Sequence, residues 1–293
     1  MQKGWKTFGW CGMTFMIPER WAPGRIEGDE REGSLRIDDP LMERINLRWK
    51  LTSAGKIGLF IDKHIHEIKR QARKKGIDLV VKRRLDYPLG KRFHGEFFHW
   101  KADLQAYNLC FQTGGKTNRV IFLRILGKLD EDIHAQAKKI ASSFRVSVDS
   151  RPKRWALFGL DVTIPGDFKM EGYSLLAGSV KITFSRRGQE LTVNKFSLAR
   201  TVLREESLKD WVLRHFKGEL KNFGCDIKER EIHGHPGLMV AGERKGLLTR
   251  KFWKRKALLY CWFCQDSNKL LVILNKFQRE DEIEEVARGV LCH

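Results

Sequence analysis

The sequence predicts an α+β protein made by tandem duplication, each copy an α/β/α sandwich with a central antiparallel sheet flanked by helices. Three observations carry that prediction. An amphipathic helix, a glycine, one residue, an aspartate and an apolar strand start occur in order twice, over Asp62 to Leu79 and Ser207 to Ile227, with Gly76 and Gly224 148 positions apart. Each half opens on a strand that closes with Ile-Pro, at Ile17-Pro18 and Ile164-Pro165. Each half also ends in a helix introduced by acids, Asp130-Glu131-Asp132 and Glu280-Asp281-Glu282, at an offset of 150. The domains fall at residues 1–149 and 155–293, with 150–154 (SRPKR in its setting of Ser150 to Arg154) as the linker.

Taken in order, Met13 to Pro18 and Leu160 to Pro165 read as strands, because proline lacks the amide hydrogen that would continue a ladder. Trp21 and Phe168, three residues on, can fold back onto the core. Gly33-Ser34-Leu35-Arg36-Ile37 and Gly178-Ser179-Val180-Lys181-Ile182 alternate apolar and polar, as a strand with one wet face does. Ile45 to Leu51 and Leu191 to Leu198 continue the sheet. The second opening helix carries Leu208, Trp211, Val212, Phe216, Leu220 and Phe223 at three- and four-residue steps, one apolar stripe. Ser207 suits its N-cap, and Gly224 stands where a left-handed C-terminal cap is wanted. The first helix has a thinner stripe, Ile65, Ile68 and Ala72, and an outer face of Lys69, Arg70, Arg73, Lys74 and Lys75. Strands return at His94 to Phe98 and His235 to Met239, at Asn108 to Gln112 and Trp262 to Gln265, and at Val120 to Leu123 and Leu270 to Ile273. Acids in the first turn of the closing helices suit the positive helix end.

The chain has 293 residues, enough for two domains that each bury a core. Its formal charge is +20, shared evenly: 29 Lys/Arg against 18 Asp/Glu in residues 1–150, and 27 against 18 in the rest. Charge of that size attracts nucleic acid, an acidic protein or a lipid surface; a background of basic composition is the plainer reading. No apolar run is long enough to span a membrane, and glycines and a lysine break the apolar N-terminal stretch. A cytoplasmic protein is therefore expected. Six scattered cysteines, mostly in apolar runs, read as buried thiols and not as a disulfide scaffold.

The pattern resembles the PsbP-like fold family, which includes the extrinsic PsbP proteins of photosystems, bacterial DcrB-like proteins and a Ran-binding nuclear import factor. The resemblance rests on Ile17-Pro18 with Trp21, Ile164-Pro165 with Phe168, the central helix, and Ala137, Ile140 and Ser143-Phe144 in the closing helix; the second copy keeps Ala287 and Val290 without the Ser-Phe. It implies a sandwich fold and a non-catalytic binding role, some bacterial relatives being chaperones of secreted effectors. No functional residue of the family has a counterpart here.

Motifs for catalysis are absent or misplaced. Thr113-Gly114-Gly115-Lys116-Thr117 contains Gly-Lys-Thr, but Cys110 stands where a phosphate loop needs its first glycine, and a strand follows where the loop needs a helix. It reads as a hairpin turn. Cys261 and Cys264 have C-x-x-C spacing inside a strand, where positions three apart face opposite ways. A zinc site there would need a second ligand pair, for which His233 and His235 are the nearby candidates. A pocket around His233, His235 and Glu243 is what an enzyme would require. No nucleophile is nominated with its base, and an enzyme is not expected. No cofactor or metal is indicated.

The remaining signal is the stretch from Arg244 to Lys256, seven cations in thirteen residues, interleaved with Phe252 and Trp253. Arg244, Lys245, Arg250, Lys251, Trp253, Lys254, Arg255 and Lys256 describe a nucleic-acid or anion surface, with cations for phosphates and an aromatic for bases. They equally describe a twisted edge hairpin whose lysines block edge-to-edge pairing. Lys82-Arg83-Arg84 and Lys91-Arg92 are the weaker equivalents in the first half. The leading expectation is a non-enzymatic binding protein that holds an anionic partner on this basic surface. The alternative is a protein-partner adaptor or chaperone that binds through a sheet face or the cleft between copies.

Overall fold

Two seven-stranded antiparallel sheets of the same strand order dominate the computed structural model. It describes every residue except 1–3, 53–56, 91–92, 115–117, 148–150, 246–254, 279–282 and 293. The chain divides into two units, Met1–Asp149 and Ser150–His293.

The first unit runs β1 (Trp5–Trp10), β2 (Met13–Pro18), β3 (Ala22–Gly28), β4 (Glu32–Asp38), β5 (Glu43–Leu51), α1 (Ile57–Lys74), β6 (Val80–Lys82), β7 (His94–Lys101), β8 (Gln105–Gln112), β9 (Arg119–Gly127), α2 (His134–Ser142) and β10 (Arg145–Val146). Its sheet has the order β3-β4-β5-β9-β8-β7-β6, so the crossover made by α1 sends the chain to the far edge and back. Ile61 and Ile65 of α1 pack on Phe98, Trp100, Ala106, Cys110 and Leu126, all on one face. Gly76, at φ +63°, ends this helix in the left-handed conformation that glycine adopts without strain. The opposite face is covered jointly by α2 and the β1–β2 hairpin: Phe111 meets the edge of Phe144 at 5.4 Å, and Phe144 stacks on Phe15 at 5.2 Å.

The second unit runs β11 (Lys153–Leu157), β12 (Leu160–Ile164), β13 (Lys169–Leu176), β14 (Ser179–Arg186), β15 (Gln189–Ser197), α3 (Ala199–Leu203), α4 (Leu208–His215), α5 (Lys217–Leu220), β16 (Phe223–Ile232), β17 (His235–Arg244), β18 (Lys256–Cys264), β19 (Lys269–Phe277) and α6 (Ile283–Arg288). Its sheet order is β13-β14-β15-β19-β18-β17-β16. In the place of the crossover helix α1 of the first unit stand here three short ones, α3, α4 and α5. Trp211, Val212, Phe216 and Leu220 from them close over Val240, Leu259, Cys261, Val272 and Leu274. The Ser207 hydroxyl caps α4 by accepting from Asp210 N at 3.1 Å.

Several expectations need correction. Helices do not by themselves flank either sheet, because a β hairpin shares one face in each unit; Trp155 of β11 packs on Phe184 in the second. The aromatic and aliphatic side chains of those hairpins cover what a second long helix would have covered. Gly224 is not a helix cap but the second residue of β16, since the helix already ends near Leu220. Lys153 and Arg154, read as linker, begin β11. The strands β3 and β13 were not anticipated, because as sheet edges they bury none of their residues fully and lack an apolar alternation. Cys225 is exposed, while the other five cysteines are buried. Glu280, Asp281 and Glu282 all lie outside the described residues, and α6 carries Glu284 and Glu285 in its first turn. No helix among the described residues is long and apolar enough to cross a membrane.

Candidate anion-binding cavity

The face of the first sheet beneath α1 is polar at its middle. Cross-strand neighbours on one face stand about 5 Å apart, so ladder register tells which side chains share a row. Arg48, Phe122 and Cys110 form one row, and Asn46, Arg124 and Asn108 the next. With His64 from α1 they line a cavity of about 240 Å³. It adjoins a more open groove of about 610 Å³, which shares Arg48 and Phe122, adds Phe60 and Val120, and carries mixed charge from Glu27, Glu32 and the Lys50 paired with Glu32.

The charges here are not neutralised within the cavity. Arg124 Nε donates to Asn108 Oδ1 at 3.4 Å, its Nη2 lies 3.4 Å from His64 Nε2, and its guanidinium sits 5.8 Å from the Trp100 ring centre. None of the described lining residues is acidic. Burial, then the neighbouring Arg48, works against the Arg124 charge, partly offset by Glu43. Arginine nonetheless stays protonated in proteins, so the site carries fixed positive charge. Since a guanidinium only donates, His64 Nε2 is the acceptor, and the ring is neutral with its proton on Nδ1. Burial, Arg124 and Arg48 together push the His64 pKa down to about 4. The site can hold one anionic group, a phosphate or carboxylate, by charge-assisted hydrogen bonds from two guanidiniums.

Arg44 in the same unit shows the opposite solution. Its Nε donates to Asp39 Oδ2 at 2.6 Å, and Nη1 and Nη2 donate to the Glu131 carboxylate at 2.5 and 2.9 Å. That arginine is structural. The second unit shows what the cavity rows look like when filled: Asn194, Val272 and Cys261 form the row matching Arg48, Phe122 and Cys110, and Thr192, Leu274 and Leu259 match Asn46, Arg124 and Asn108. Leu274 and Leu259 are buried against Trp211 in one apolar cluster.

The expected site lies elsewhere. Arg244 ends β17 and Lys256 begins β18, with Arg244 N donating to Arg255 O at 2.9 Å and Lys245 N to Asn222 O at 2.9 Å. Arg250, Lys251, Trp253 and Lys254, with Phe252, lie outside the described residues. The edge-hairpin reading is corrected: β17 and β18 are interior strands, and β16 forms that edge. Arg83 is held by Glu96 and Asp62, and Lys91 and Arg92 lie outside the described residues. His235 and Glu243 begin and nearly end one strand, about 27 Å apart at ~3.4 Å per residue, so they do not converge. The turn at Thr113 and Gly114 joins β8 to β9, with Gly114 N donating to Asn118 Oδ1 at 3.1 Å; Gly115 to Thr117 are outside the described residues. Cys110 and Cys261 hold equivalent ladder positions, beside Phe122 and Val272. Sequence reasoning missed Arg48 and Arg124 because each is a single cation flanked by apolar residues inside a strand, with no charge run to mark it. The signal was there: Arg124 interrupts Val120 to Leu126, and the equivalent ladder position in the second unit is Leu274.

No family model and no curated sequence matches the chain. Solved structures similar to it include cyanobacterial PsbP (CyanoP) from Synechocystis sp. PCC 6803, at 13% identity and TM-score 0.34, over 50% of this chain and 95% of that one. The immunity protein TplEi of the T6SS from Pseudomonas aeruginosa is similar at 14% identity in two forms. Complexed with "L" peptide it covers 96% of this chain and 90% of its own at TM-score 0.29, and without ligand 97% and 93% at 0.32. These likenesses are distant and assign no residue a role.

Proposed function

We propose that the protein is a non-enzymatic, PsbP-like tandem-domain binding protein that holds an anionic partner, and that the cavity beneath α1 captures one anionic group of that partner. The observation that carries this reading is the pair Arg48 and Arg124, lining a cavity with no acidic residue among its described walls. Arg48 is exposed at the rim and Arg124 is partly buried beside it; holding the Arg124 charge away from water is costly, and a ligand that supplies a counterion offsets that cost. The formal charge of +20, and the cations from Arg244 to Lys256, favour a polyanion such as nucleic acid as the partner. Anisotropy titration of a labelled single-stranded oligonucleotide and its duplex at low ionic strength tests this. Affinity should fall steeply with salt, and both Arg124→Leu and the triple change Lys245→Ala, Arg255→Ala, Lys256→Ala should weaken it. No binding to either oligonucleotide at low salt rejects nucleic acid.

A second reading, an adaptor or chaperone for a protein partner, is favoured by the 610 Å³ groove, in which Phe60, Val120 and Phe122 present apolar surface. In that case a dye that fluoresces on apolar surface binds the wild type, and Phe60→Glu abolishes the signal.

A further inference from the structure

At one end of the second sheet, three distant points in the chain meet. His235 is the first residue of β17, Cys264 the last of β18, and Cys292 follows α6. The tail is pinned there by the bridge between Val162 and Val290 and by Leu291 N donating to Asp161 O at 2.9 Å. The ligating atoms of the three side chains, one ring nitrogen and two Sγ, lie within 4.8 Å of one another. Cys292 Sγ is 3.5 Å from His235 Nε2. All three residues are buried, at 8%, 0% and 4% exposure.

Those distances suit a metal. In tetrahedral zinc coordination, bond lengths of about 2.3 Å to sulfur and about 2.05 Å to nitrogen place the two ligand atoms about 3.6 Å apart, and two sulfurs about 3.8 Å apart. The observed sulfur–nitrogen separation therefore needs no adjustment, and the widest pair needs about 1 Å at most. An outer contact is also in place: Ser267 Oγ donates to Cys264 Sγ at 2.9 Å, the kind of hydrogen bond that orients a thiolate ligand. Two thiolates and a neutral imidazole balance a dication, and soft sulfur ligands in a buried site select a thiophilic ion over magnesium or calcium.

We propose that His235, Cys264 and Cys292 form a thiophilic metal site that takes Zn²⁺. Binding removes one proton from each thiol, including the one Cys264 donates to Cys292 O, so two protons leave for each ion bound. Three protein ligands leave one tetrahedral corner for water or a further ligand. Cys261, three residues from Cys264, takes no part, because it faces the opposite side of the sheet within the helix-covered core.

Co²⁺ added to the reduced full-length protein under anaerobic conditions tests the site. The expected result is one equivalent bound, with tetrahedral visible bands and a thiolate-to-cobalt charge-transfer band, all displaced by Zn²⁺. Cys292→Ser and His235→Asn should each lose the charge-transfer intensity or weaken binding at least tenfold, while Cys225→Ser retains both. Circular dichroism identifies variants that keep the fold, and Cys292, in the tail, is the more tolerant position to change. The proposal is overturned if the wild type shows no charge-transfer band, or if a folded Cys292→Ser variant keeps it. It is equally overturned if mass spectrometry of the untreated protein finds Cys264 and Cys292 joined as a disulfide.

Discussion

Two helix-covered sheet faces with the same strand order solve the same packing problem differently. At matching rows the first unit presents Arg48, Arg124 and Asn108, and the second presents Asn194, Leu274 and Leu259. Above the first lies one long helix with two buried isoleucines. Above the second lie three short helices that bury Trp211, Val212, Phe216 and Leu220. A buried aliphatic or aromatic side chain contributes roughly 1.5–3 kcal/mol, so the second face is much the more strongly fastened. The first accepts weaker packing and retains charge. That combination is what a binding face needs, because a ligand can only repay a cost that the free protein has left unpaid.

Exchanging the rows is the most severe way to break this contrast. Leu274→Arg puts an unpaired charge into the apolar cluster and should lower stability by roughly 3–5 kcal/mol in urea denaturation. The reverse change, Arg124→Leu, should leave stability equal or higher, because an aliphatic side chain removes an unneutralised charge. If both changes destabilise alike, the two faces are not the opposites described here. Next in size is ligand affinity. Removing either guanidinium should cost about 1.5–3 kcal/mol of binding to inorganic sulfate, a tenfold to hundredfold loss by calorimetry, while Asn194→Ala in the second unit changes nothing.

Acid dependence sharpens the comparison further. The depressed His64 pKa of about 4, against 6.5 ordinarily, means that the unfolded chain binds a proton between those values that the folded chain refuses. Stability should therefore fall as pH drops from 6.5 toward 4, and His64→Asn should flatten that slope. In the second unit Lys195 is pushed down to about 8 from 10.5 by burial and by Lys269. Here too the unfolded chain binds the extra proton, so stability should rise from pH 8 to 10.5, and Lys195→Met should remove that rise. The smallest effect belongs to the α4 cap: Ser207→Ala should cost about 1 kcal/mol, with no influence on anion binding.

Several element boundaries were legible in the sequence because their markers are local. Ile17-Pro18 and Ile164-Pro165 stop strands by chemistry that needs no partner, and Ser207 caps its helix with its own hydroxyl. Edge strands such as Ala22–Gly28 were not legible, since a strand paired on one side and wet on both faces has no apolar period. The break at Phe216 was hidden for a different reason: the apolar stripe continues through it at helical spacing although the backbone does not. Site residues were harder still. A charge run such as Arg244 to Lys256 is conspicuous in a sequence, whereas Arg48, His64 and Arg124 are single residues on three elements and meet only when the sheet forms. The same holds for His235, Cys264 and Cys292: the sequence offered Cys264 and His235 among its candidates, with Cys261 and His233 as their companions, and gave no sign of Cys292.

The most direct test of the contrast is the titration of the His64 ring, followed by NMR with and without sulfate, whose charge is constant across the range. In the free protein His64 should titrate near pH 4, and saturating sulfate should raise that value by supplying the missing negative charge beside Arg48 and Arg124. A His64 that titrates at its ordinary 6.5, or one that sulfate leaves unmoved, would contradict the assignment of this cavity as the anion site.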